Sequence, residues 1–103
     1  MLKGSCLCGG IKYEIDGELG AVTNCHCSLC RKTSGSAFAS GTTIPAKSFR
    51  IASGQELLKE WESSPGYHRL FCGSCGSPIL KRKDNDPEHL RFRPGAPNTS
   101  SSF

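Results

Sequence analysis

The chain has 103 residues, a formal net charge of +4, 12 glycines and 7 cysteines. Leu, Ile, Val and Phe together account for only 20 of the 103 residues. That is thin for a self-sufficient core, yet the net charge is too small to hold a chain open, so one cross-linked globular domain is indicated rather than two domains or disorder. No run approaches the length of a membrane-spanning apolar helix, and no partnership with a membrane is expected.

Only five residues, Met1-Leu2-Lys3-Gly4-Ser5, precede Cys6, too few for a secretion signal; a reducing, cytoplasmic setting is therefore expected. There, clustered cysteines serve as metal ligands more often than as disulfides, and an odd count argues the same way. The first group is Cys6-Leu7-Cys8, where an extended segment would turn both thiols to one side. Ile11 to Ile15 alternates apolar and polar residues and predicts a half-buried strand ended by Asp16-Gly17. Ala21 to Cys25 reads as a second strand that feeds Cys25-His26-Cys27-Ser28-Leu29-Cys30. Ser28 is placed to cap a short helix over Leu29 to Ser34, stopped by Gly35. Strands are predicted over Ser36 to Ile44, broken by Pro45, and over Ser48 to Ile51. Glu56 to Glu62 also fits a helix face through Leu57, Leu58 and Trp61, but the turn Ser63-Ser64-Pro65-Gly66 and the run Tyr67 to Cys72 favour a hairpin. Cys72-Gly73-Ser74-Cys75 has the form of a zinc knuckle. Pro78 to Lys83 and His89 to Arg93 complete a mostly-β fold, separated by the turn Asp84-Asn85-Asp86-Pro87. Residues 1–93 are read as the domain; residues 94–103, rich in Pro, Gly and Ser, are expected to form a disordered or loosely attached tail.

The seven thiols divide by spacing into four and three. Cys6, Cys8, Cys72 and Cys75 suit a closed tetrahedral zinc site that staples two distant segments. Cys25, Cys27 and Cys30 suit a zinc with three protein ligands and an open fourth position. Two alternatives stay open at this point: His26 completes a second closed site, or the triad carries no metal. His68 and His89 are read as ordinary surface or strand histidines.

Four segments resemble the glutathione-dependent formaldehyde-activating enzyme family, also called the centromere protein V-like family: Gly4 to Glu14, Cys25 to Lys32, Ser34 to Phe38, and Phe71 to Pro78. The resemblance implies an Mss4-like tent of antiparallel β-sheets with zinc sites in its loops. It implies a structural zinc on Cys6, Cys8, Cys72 and Cys75, and a catalytic zinc on Cys25, Cys27 and Cys30. The implied activity is carbon–sulfur lyase chemistry of the S-(hydroxymethyl)glutathione synthase type, with glutathione as co-substrate and formaldehyde as the aldehyde. Family members continue past the segment equivalent to His89–Arg93 with further strands and an apolar stretch; here the Ser/Pro/Gly tail stands in that place.

A thiol entering an open zinc position loses its proton and becomes a nucleophile towards an aldehyde carbon. Three thiolate ligands weaken the metal as a Lewis acid, so a nearby cation helps; Arg31 and Lys32, next to Cys30, are the candidates closest in sequence. Arg69 and the run Lys81-Arg82-Lys83 are further candidates for capturing the carboxylates of glutathione, and Ser34 and Ser36 are candidate hydrogen-bond donors. A non-catalytic zinc module for nucleic acid or protein is the competing reading. The small net charge and the lack of aromatic residues interleaved with basic ones count against nucleic acid. A redox sensor is weaker still, because zinc would mask the thiolates.

Overall fold

The computed structural model describes residues 2–17 and 21–93. The tail expected at 94–103 lies outside the described residues. Two antiparallel sheets and one short helix make up the fold, as the mostly-β expectation required. The smaller sheet has the order β1 (Leu2–Ser5), β2 (Lys12–Ile15), β5 (Phe49–Ser53). The larger sheet contains β3 (Thr23–Cys25), β4 (Ala39–Pro45), β6 (Leu58–Ser64), β7 (Tyr67–Cys72), β8 (Pro78–Lys83) and β9 (Asp86–Phe92), in the order β3-β4-β9-β8-β7-β6. Helix α1 (Ser28–Ser34) lies between β3 and β4.

Strand β2 shows how alternation becomes packing. Tyr13 and Ile15 are buried while Lys12 is exposed, and Glu14 turns outward to meet Arg50 at 2.8 Å and Lys3 at 3.9 Å. Tyr13 sits at the centre of the core, stacked on Phe49 (centroids 5.4 Å) and edge-on to Phe92 (5.5 Å). Its register partner on β1 is Gly4, and any side chain there would collide with the Tyr13 ring. Burial raises the Tyr13 phenol well above its ordinary pKa, so it stays protonated. Ile11, Ile15, Ile44, Ile79, Leu80 and Phe92 surround it. Among the described residues eleven hydrophobic side chains are buried, and three of them are cysteines, so the thiols supply core volume as well as donors.

The structure corrects several local expectations. Leu2–Ser5 is a strand that carries no alternation of its own and exists through its pairing with β2. Cys6 and Cys8 do not lie in an extended segment: they lie in a turn, closed by the Gly9 amide donating to the Cys6 carbonyl at 3.0 Å. Leu58–Ser64 is a strand, as the hairpin reading required, with Gly66 at φ +79° turning it into β7. Strand β9 begins at Asp86 rather than His89. It accommodates Pro87 because the ladder jumps from the Lys83–Asp86 pair to the Arg82–Leu90 pair, leaving Pro87 in a bulge where no ladder hydrogen bond is needed.

Candidate metal centres

The four-thiol cluster forms where the turn after β1 meets the β7–β8 connection. The sulfurs of Cys6, Cys8, Cys72 and Cys75 all lie within 4.8 Å of one another, and all four cysteines are free. Cys6 and Cys8 are 3.4 Å apart, and Cys8 and Cys72 are 3.8 Å apart. A tetrahedral site with metal–sulfur bonds of about 2.3 Å places its sulfurs about 3.8 Å apart, so spacing and donor chemistry both fit a thiophilic metal ion. Backbone amides already point at these sulfurs, Ile11 N–H to Cys6 Sγ at 3.3 Å and Ser74 N–H to Cys72 Sγ at 3.4 Å. Ser77 ties the two halves together: its hydroxyl accepts from the Leu7 amide at 2.9 Å and contacts Cys75 Sγ at 3.2 Å. The Ser77 hydroxyl and amide hold the Cys75 thiol down to about 5. Against the pull of the Gly10 amide, the adjoining Cys6 thiol, desolvation and the other sulfurs push Cys8 up to about 11. Four crowded sulfurs cannot all ionise on their own; a cation removes that conflict.

The three-thiol cluster forms at the start of α1. Cys25 ends β3, Cys27 is the N-cap and Cys30 lies in the first turn. Their sulfurs also lie within 4.8 Å of one another, with Cys25 and Cys27 3.4 Å apart. Ser28 does not cap the helix. The cap is the Cys27 sulfur, which accepts from the Cys30 amide at 3.4 Å, and the helix therefore starts at Ser28, one residue earlier than expected. The amide and thiol of Cys30, with the Cys25 thiol, bring Cys27 down to about 7. Burial, with its two neighbouring thiols, raises Cys30. His26 stays out of the cluster, and its ring packs against Phe38 at 5.4 Å. Among the described residues no fourth side chain joins the three thiols.

What faces this cluster from the large sheet is Arg69, a buried residue of β7. Both of its terminal nitrogens lie 3.9 Å from Cys30 Sγ, Nη1 reaches Thr33 Oγ1 at 3.5 Å, and Nε donates to Ser63 Oγ at 3.1 Å. Arg69 also lines a cavity of about 430 Å³ together with Thr33, Ser34, Phe38, Trp61, Arg93 and neighbouring residues. Arg31 and Lys32 are exposed on α1 and outside that lining. Ser34 lines the cavity and Ser36 does not. Arg69 was one of several basic residues visible in the sequence, but nothing local connects it to Cys30, 39 positions away. Arg93, at the end of the last predicted strand, carried no signal for the site.

A third group of donors, Glu62, His68 and Asp84, also falls within 4.8 Å. His68 lies between Glu60 (3.0 Å) and Asp84 (2.9 Å), and Arg82 bridges the same two carboxylates at 2.6 and 3.4 Å. It is an ion-pair network on the β6–β7–β8 surface that supplies its own counter-charge. His89 pairs with Asp86 at 3.0 Å. Among the described residues no helix is long and apolar enough to cross a membrane.

Comparison with known proteins agrees with this architecture. The family described as "Glutathione-dependent formaldehyde-activating enzyme" matches residues 1–103. A curated protein of Halomonas elongata, named "Putative glutathione-dependent formaldehyde-activating enzyme", is 31% identical over 87 residues. That match covers 77% of this chain and 54% of the relative, so the chain spans about half the length of the protein it matches. A crystal structure of a Rhodobacter sphaeroides protein superposes with a TM-score of 0.80, covering 96% of this chain and 90% of that one. At 24% identity that likeness is one of fold.

Proposed function

The chain belongs to the glutathione-dependent formaldehyde-activating enzyme family, and from that premise we propose that it is a zinc-dependent carbon–sulfur lyase acting on a thiol–aldehyde adduct of the S-(hydroxymethyl)glutathione type. In this reading Cys6, Cys8, Cys72 and Cys75 hold a structural zinc, and Cys25, Cys27 and Cys30 hold a catalytic one. The observation that carries it is the convergence of this unequal pair of sulfur clusters, with no fourth side-chain donor at the second among the described residues and a cavity joined to it through Arg69, which lines the cavity and contacts Cys30.

Zinc held by three thiolates supplies an open position that favours the ionised form of a thiol. The residues of the chain do the rest. The Cys30 amide and thiol bring Cys27 down to about 7, which favours its thiolate form, and the guanidinium of Arg69 offsets the negative charge gathered at Cys30. Arg69 and Arg93 on the cavity wall draw in the carboxylates of the substrate. Phe38 and Trp61 add apolar surface to the same cavity wall. In the synthetic direction the thiol sulfur forms a bond to the aldehyde carbon. The carbonyl π pair moves to oxygen, which takes up the proton given up by the thiol. Cleavage runs the same steps backwards, the sulfur leaving with the carbon–sulfur bonding pair while the hydroxyl proton is lost and the carbonyl re-forms.

The test is exchange spectroscopy with glutathione and carbon-13 formaldehyde, which follows interconversion of free aldehyde and adduct at equilibrium. The zinc-loaded protein is expected to speed the exchange above the rate in buffer, and Cys27→Ser is expected to return it to that rate. Exchange no faster than buffer with fully zinc-loaded wild type would overturn the proposal.

A further inference from the structure

The large sheet carries an unusual line of charge. Arg69 on β7 stands directly opposite Lys81 on β8, which stands directly opposite Arg91 on β9. Directly opposed residues share a face of the sheet, so three cations form one row across three strands, an arrangement that costs stability unless negative charge faces it. Arg93 follows two residues after Arg91. Two other arginines of the sheets do meet carboxylates: Arg50 pairs with Glu14 and Asp16, and Arg82 with Glu60 and Asp84. Among the described residues none of Arg69, Lys81, Arg91 or Arg93 has a carboxylate partner. Arg91 is held by hydroxyls, Thr23 Oγ1 at 2.7 Å and Thr43 Oγ1 at 3.2 Å, and Arg93 by the Ser40 carbonyl at 3.1 Å. Arg69 leaves Nη2 without an oxygen acceptor among the described residues. Desolvation, with Arg69 nearby, lowers the pKa of both Lys81 and Arg93, the mark of positive charge crowded into a partly dry space.

Part of the missing negative charge comes from the three thiols. A divalent ion bound to three thiolates keeps only a single net negative charge, which leaves most of the row unbalanced. The rest has to arrive with a ligand, and Arg69 and Arg93 both open onto the cavity. Thr33, Ser34 and Ser40 add hydroxyls to the lining, and most of the remaining wall is apolar: Phe38, Trp61, Leu70, Phe71, Pro78 and Leu80. Trp61 is 67% exposed and Phe38, packed on one side by His26, is 36% exposed, so both present aromatic surface to this space. A hydroxymethyl group would cover almost none of that surface.

We propose that the cavity takes a thioether carboxylate with an apolar, preferably aromatic, substituent, its carboxylate on Arg69 and Arg93 and its substituent against Trp61 and Phe38. This rests on reading Cys25, Cys27 and Cys30 as the reacting end of the same site: the substrate there is the hydroxyl-bearing aldehyde adduct of such a thiol, and a simple thioether of the same shape is its unreactive stand-in.

Trp61 is the only tryptophan of the chain, so its fluorescence reports on the cavity directly. The zinc-loaded full chain is titrated with (benzylthio)acetate, (methylthio)acetate and (benzylthio)acetamide. The benzyl acid is expected to bind roughly tenfold or more tightly than the methyl acid, from burial of the ring. It is expected to bind roughly tenfold or more tightly than its amide, from the guanidinium–carboxylate contact. Phe38→Ala should shrink the first ratio and Arg93→Gln the second. Equal affinity across the three ligands overturns the proposal, and this wild-type series decides it even where a variant fails to fold. So does an acid preference that survives unchanged in a folded Arg93→Gln protein. Ligand preference of the expected kind without accelerated aldehyde exchange would refute the lyase reading and leave the cavity assignment standing; the reverse result would do the opposite.

Discussion

The two cysteine clusters share a donor chemistry but not a setting. In the four-thiol cluster Cys6 and Cys72 are buried and belong to the hydrophobic core, and backbone amides from two segments about 65 residues apart point at their sulfurs. The three-thiol cluster is built from six consecutive residues at one helix end. Only Cys30 is buried there, and the partner it meets across the fold is a cation on a cavity wall. A metal in the first would close a long loop and complete a small core; a metal in the second would order a local turn and leave a face open. In the proposed reading one element would serve folding at one site and chemistry at the other, and the difference lies in what each cluster connects.

Breaking that comparison from the folding side should give the largest effect. Structural zinc contributes on the order of 10 kcal/mol or more to small domains, comparable with the whole stability of a domain of this size, about 5–15 kcal/mol. Cys72→Ser should therefore abolish the cooperative thermal transition seen by circular dichroism. Cys27→Ser should instead remove one metal and the exchange activity while leaving that transition within several degrees of wild type. Serine is itself a good N-cap, so this change withdraws a metal ligand without uncapping α1.

The next test removes the cation and keeps the thiols. Arg69→Met retains the length and apolar bulk of a buried side chain and deletes the charge beside Cys30. Exchange is expected to slow by about tenfold to a hundredfold with zinc content unchanged; loss of the second zinc would instead make Arg69 part of the metal-holding structure. A pH series sharpens the contrast further. Cys27 is lowered to about 7 by the Cys30 amide and thiol, so its thiolate is favoured in the folded chain. Its stabilising contribution is complete above the ordinary thiol pKa and is lost as pH falls through about 7. With the three-thiol cluster stripped of metal by mild chelation, alkylation of Cys27 should fall to half its maximum near pH 7. A half-maximum at the ordinary thiol value would remove the capping interaction from the account. The smallest effect belongs to the surface network: Arg82→Gln loses contacts with Glu60 and Asp84 and should cost about 1 kcal/mol or less, with both metals retained.

The strands that bury one face were legible in the sequence because alternation and burial coincide, as in Tyr13 and Ile15, and the grouping of the thiols was legible because ligand spacing is local. Leu2–Ser5 was not, since its strand depends on pairing with residues 12–15 and its Gly4 matters only through the ring of Tyr13. The cap on α1 was assigned to Ser28 by residue preference, but a thiol one position earlier holds the place. Arg69 and Arg93 were unreadable as a pair, because only the folding of β7 and the end of β9 around α1 brings them to one cavity. Spacing finds ligands that are neighbours in sequence; the charge that tunes them comes from pairing across the sheet.

The division between the two clusters is tested most directly by native mass spectrometry of zinc-loaded Cys27→Ser. Two zincs are expected on the wild type, and one zinc with the same compact charge-state distribution on the variant. No zinc with an extended distribution, or two zincs retained, would contradict that division.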